Sequence, residues 1–182
     1  MSLPVVRVTR EEMRKRVAYF HELQGHDGGL PDSTYPSAER TLFNALGFQR
    51  PKGDVATVSP VGSSAAETSA IKINEGFNIG FCEALPGKGP MMHNHDTNET
   101  FMPISGLWRC SWEVDGQVEY FDVGPCDIIS FPPGVQRRFE NISFDEPGKK
   151  QRLMFVIGGN APKAEFSPEA MDELRTTGHV RD

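Results

Sequence analysis

Three cysteines in 182 residues, Cys82, Cys110 and Cys126, are too few and too far apart for a disulfide framework, and no C-x-x-C is present for a zinc ribbon. They read as reduced thiols, each filling space as a small hydrophobe. No run approaches the roughly 18 apolar residues of a membrane span, and the opening MSLPVVRVTREEMRKR lacks the apolar core of a signal peptide. The expectation is a cytoplasmic protein with no membrane partner. There is also no basic block or aromatic-plus-arginine stripe that would follow a phosphate backbone. With 19 basic residues against 25 acidic ones and a net charge of −6, nucleic acid is not an expected partner. No internal repeat is found. The length suffices for one domain that buries a core without staples.

What is present is concentrated in GKGPMMHNHDTNETFMPISG, Gly87 to Gly106. On an extended strand His93 and His95, two apart, project from the same face and converge. Asp96, Thr97 and Asn98 are turn formers, so the chain can bend and return the Glu99 carboxylate to the imidazoles. Two histidines and one carboxylate form a facial triad that leaves positions open on a divalent metal, and iron, manganese, nickel or zinc all suit the donors. Histidine ligates only when neutral, so metal binding is expected to weaken as pH falls through about 6.5.

The spacing Gly87-x5-His93-x-His95-x3-Glu99-x6-Gly106 resembles the first signature motif of the cupin superfamily at every position. The second motif is similar to Gly124, Pro132, Gly134, Arg137 and Asn141, with a longer gap between Gly124 and Pro132 and with Arg137 where the family carries its last metal-binding histidine. The resemblance covers residues 70 to 158. It implies an all-β fold, a double-stranded β-helix or RmlC-like jelly-roll barrel, with flanking N- and C-terminal helices. The expected division is an N-terminal helical arm over 1–52, the barrel over 53–160 and a helical tail over 161–182. The function implied is a metal-binding, dioxygenase-like enzyme acting on an oxygen-rich or carboxylate small molecule. His93, His95 and Glu99 would hold the metal, and Arg137, Phe101 and Phe139 would contact substrate. The alternative is a metal-free binding module in which Glu99 pairs with Arg137. A homodimer is expected, because cupin barrels commonly pair and residues 1–52 carry many apolar side chains.

Local patterns supply the remaining expectations. Thr9 and Glu12 form a capping box opening a helix to about Leu23. Ser37 to Leu46 reads as a second helix, capped by Ser37, with Leu42, Phe43 and Leu46 as its stripe and Gly47 as its stop. Residues 48–53 and 62–70 read as loops. Strands are expected near 54–59, 70–73, 77–84, 99–105, 107–114, 117–123, 127–131, 136–142 and 151–158, with Asp115-Gly116 as a hairpin turn. In 77–84 the small face of Asn78, Gly80, Cys82 and Ala84 either holds a cavity open or packs tightly on another strand. His21 and His26 read as surface histidines, and Trp108 and Trp112 as core. Ser167-Pro168-Glu169 marks a last helix start.

Overall fold

The computed structural model describes residues 3–48 and 58–180. Most of the strand expected at 54–59, and the loop at 49–53, lie outside them. Val58 is described and forms an isolated bridge to Ala164.

The helices are short and peripheral. α1 (Arg10–Arg14) opens on the expected Thr9/Glu12 capping box but ends early, and a separate 3₁₀ turn covers Phe20–Glu22. α2 (Gly62–Glu67) forms where a loop of small residues was expected. α3 (Pro168–Thr176) starts on the Ser167 cap, whose hydroxyl accepts the Ala170 N–H. Among the described residues no helix is long and apolar enough to cross a membrane.

Among the described residues eleven strands build the body: β1 (Gly25–His26), β2 (Thr41–Leu46), β3 (Phe77–Ala84), β4 (His93–His95), β5 (Glu99–Pro103), β6 (Trp108–Val114), β7 (Gln117–Val123), β8 (Ile129–Phe131), β9 (Arg137–Asn141), β10 (Gln151–Gly158) and β11 (Ala164–Phe166). They form two antiparallel sheets, ordered β1-β2-β3-β10-β5-β8 and β11-β4-β9-β6-β7. This is the expected all-β jelly roll. The β6–β7 hairpin turns on Asp115 and Gly116, both at positive φ (52° and 74°), as a tight two-residue turn between twisted strands requires.

One element is corrected outright. The helix expected over 37–46 is a 3₁₀ turn, Pro36–Ala38, followed by strand β2, all six of whose residues are buried. β2 pairs with β3 inside the six-stranded sheet, which therefore reaches into the stretch expected as a helical arm. Both faces of β2 are covered, so its side chains lack the alternation that marks a half-exposed strand. At 70–73 only a bridge between Ile71 and Leu46 forms.

The barrel core centres on Phe101, Trp108, Leu153 and Ile157, none with any exposed surface. Trp108 satisfies its indole N–H on Ser105 O at 2.9 Å, confirming it as core. The small face of β3 packs tightly. A Cβ added to Gly80 would stand 2.3 Å from the Phe155 ring and 2.9 Å from Phe43 O. A second cluster of Ala38, Met91, Phe166, Ala170 and Leu174 seats α3 against β11 beside the site.

Candidate metal centre

The site lies between the sheets, and each residue reaches it through strand alternation. On β4, His93 and His95 are buried while Asn94 between them is not. β5 on the facing sheet carries Glu99 at its first position, paired with Phe131 and Ile157. β9 beside β4 sets Arg137 directly across from His93. One donor atom each from His93, His95 and Glu99 lies within 4.8 Å of the others, so a single ion can touch all three.

Hydrogen bonds to backbone carbonyls determine what these atoms offer. His93 Nδ1 donates to Met91 O at 2.8 Å and His95 Nδ1 to Lys163 O at 2.9 Å. A carbonyl can only accept, so each Nδ1 carries the proton and each neutral ring keeps its lone pair on Nε2. The Met91 contact is itself held. Met91 N–H donates at 3.0 Å to Asp32, which is buried and clasped by Arg40 at 3.0 and 3.1 Å. Such outer partners fix ring orientation in metal sites.

Glu99 presents two different oxygens. Oε2 accepts the Arg137 Nε–H at 3.0 Å, with Arg137 Nη2 also 3.0 Å away but outside hydrogen-bond geometry. Arg137 Nη1 donates to Val135 O at 3.1 Å, and the guanidinium has no exposed surface. Oε1 has no hydrogen-bond partner among the described residues. His95 Nε2 lies 3.3 Å from Oε2, so a neutral ring turns a lone pair towards a carboxylate oxygen. A cation is needed there. A proton on His95 would serve that contact alone, whereas a divalent ion would also satisfy His93 Nε2. The residues fit the metal.

The electrostatics agree. Burial, aided by the charges of His95 and Arg137, lowers His93 from 6.5 to about 3, so its protonation lies far below the expected threshold near 6.5. Burial alone would raise Glu99, but the charges of a protonated His95 and of Arg137, with the hydrogen bond that such a His95 donates, outweigh it and hold the carboxyl at about 2. In the absence of an ion that proton takes the place between His95 Nε2 and Oε2 that a metal would take when bound. Both groups are therefore in their metal-ligating forms at neutral pH. Burial pushes the Cys82 and Cys110 thiols up to about 12, which suits space-filling rather than ligation.

The triad opens on a cavity of about 20 Å³, the room of a single water-sized particle, whose lining includes Arg40, Leu42, Phe139, Phe155 and Phe166. Phe139 thus reaches the cavity, while Phe101 is wholly buried behind it at 4.9 Å between ring centroids and, like Arg137, does not line it. Asp32 and Arg40 went unrecognised in the sequence, for they lie eight residues apart in a stretch without periodicity and meet only because a 3₁₀ turn and a buried strand bring them together.

No protein-family model matches the chain, and no curated protein matches it. Solved structures do match. Peruvianin-I, a cysteine peptidase from Thevetia peruviana latex, aligns at 13% identity over 88% of this chain and 80% of its own, with a TM-score of 0.57. The vicilin from Solanum melongena aligns at 12% identity over 95% of this chain and 42% of its own, with a TM-score of 0.55. A variant of oxalate decarboxylase from Bacillus subtilis aligns at 12% identity over 88% of this chain and 38% of its own, with a TM-score of 0.51. This chain therefore spans about two fifths of the latter two. Together with the signature spacing, these likenesses show a cupin fold.

Proposed function

We propose that the protein is a metal-dependent small-molecule enzyme in which His93, His95 and Glu99 hold one divalent ion: iron, manganese, nickel or zinc. One observation carries the reading. A ring nitrogen from each of His93 and His95, both held by backbone carbonyls through Nδ1, and a carboxylate oxygen of Glu99 converge within 4.8 Å of one another in a buried space. When bound, the metal would supply Lewis-acid polarisation of an oxygen-bearing substrate, and redox chemistry of the dioxygenase kind where it is iron.

The chain's own residues do the rest. Met91 O and Lys163 O hold both rings through Nδ1, which turns each Nε2 to the metal, and Arg137 orients the Glu99 carboxylate through Oε2. A divalent charge with Arg137 beside it outweighs the single carboxylate, so the loaded site favours an anionic, oxygen-rich substrate. An oxalate-processing enzyme of the same fold supports a small carboxylate. Phe139 would contact it as an apolar wall. Arg137 and Phe101 would act from behind that wall.

A second reading is favoured by the Arg137–Glu99 contact itself: a metal-free binding module in which that pair replaces the ion. Elemental analysis of untagged protein separates the two. Metal near one per chain supports the enzyme, and none after growth with each of the four metals supports the module.

A further inference from the structure

Among the described residues Arg40 is the one cation that lines both the cavity at the triad and a larger pocket of about 280 Å³ outside it. Its guanidinium is nine-tenths buried and only partly used. Nη1 donates to Asp32 Oδ2 at 3.1 Å and Ala38 O at 2.6 Å, and Nη2 donates to Asp32 Oδ1 at 3.0 Å. Of the five N–H groups that arginine carries, Nε–H and the second hydrogen of Nη2 have no partner among the described residues. Asp32 fixes the plane of the group, so those donors are held without further ordering cost.

The outer pocket has a matching charge. Lys88 is paired with Glu39 at 3.1 Å, but Lys150 meets only the Thr41 hydroxyl, at 2.8 Å, and no carboxylate among the described residues. The pocket's remaining carboxylate, Asp27, accepts the Thr41 hydroxyl. Counting Asp32 on Arg40, the pocket's three cations are balanced by three carboxylates, but the Lys150 ammonium touches none of them and stays open to an anion.

We propose that Arg40 anchors a small carboxylate at the entrance to the triad, its head on the free edge of the guanidinium and its body in the outer pocket beside Lys150. The inference names the substrate class of the proposed enzyme and takes its catalytic meaning from that reading, but the anchoring itself needs no metal.

The test is nuclear magnetic resonance of the arginine Nε–H signals in ¹⁵N-labelled, metal-stripped protein, repeated after zinc loading, with the Arg40 signal assigned from its loss in Arg40→Lys. Sodium acetate should shift that signal saturably, while neutral acetamide, and sodium chloride at equal ionic strength, leave it in place. Arg40→Lys keeps a cation for Asp32 but loses the planar fork, so it should bind acetate about tenfold more weakly. An Arg40 signal unmoved by acetate in both forms overturns the proposal, even if acetate binds zinc, and so does a folded Arg40→Lys that binds acetate as wild type does. Should that variant not fold, the wild-type signal, assigned instead through its side-chain couplings, still decides. Zinc that fails to bind while acetate moves Arg40 sinks the metal reading and leaves this one standing.

Discussion

Glu99 accepts Arg137 on Oε2 and makes no hydrogen bond through Oε1 among the described residues, so in the proposed site one residue serves as metal ligand and buried counter-ion together. Glu99→Gln should therefore fail twice. Metal binding is lost, and the metal-free variant is destabilised by roughly 3–5 kcal/mol because Arg137 stays buried without its partner. Urea unfolding of stripped wild type and variant checks this, and a loss below about 1 kcal/mol would show the pair is not coupled in solution. The pH dependence has a definite sign. His93 titrates at about 3 when folded against 6.5 ordinarily, and Glu99 at about 2 against 4.5. Both folded values are lowered, so below 6.5 the unfolded chain binds more protons and stability falls with pH. The His93 share is lost between 6.5 and 3, and the Glu99 share between 4.5 and 2. Thermal melts of stripped protein should show Tm declining from about pH 6.5 downward, with the upper part of the slope flattened in His93→Gln. A Tm independent of pH between 6.5 and 5 in wild type would contradict the burial of His93.

At the scale of elements, close packing between β3 and β10 shapes the site as much as the ligands do. Gly80 lies against Phe155, whose ring lines the triad cavity. Gly80→Ala should push that ring into the site, costing about 1–3 kcal/mol by denaturant unfolding and weakening metal binding from a position with no contact to the metal. Wild-type stability in that variant would mean the sheet yields there instead. The same packing decided what could be read from sequence. β3, β7 and β10 lie where their β-formers and the Asp115-Gly116 turn put them, and β4 was legible through its chemistry, because His-x-His converges only on an extended chain. β2 was not. In Thr41–Leu46 every side chain is buried, so apolar residues fall at spacings that also suit a helix, and only the neighbouring strands determine the outcome. Arg137 was legible as inward-facing, but which atom it would hold, and that Oε1 would stay bare, depend on side-chain geometry that spacing does not encode.

For the whole molecule, Leu3, Val5 and Val6 are 89%, 89% and 78% exposed, and Phe121 and Ile128 are 63% and 68% exposed, more apolar surface than a lone barrel needs to show. Light scattering at micromolar concentration should return a dimer mass, weakened by deleting residues 1–8. A monomer would leave those side chains without a partner copy. The central claim, that this cupin fold holds a metal through three buried donors, is tested most directly by calorimetric titration of stripped, untagged protein with zinc and with manganese, alongside His95→Ala. The account predicts a stoichiometry near one per chain in wild type and none in the variant; no binding in wild type, or equal binding in both proteins, would contradict it.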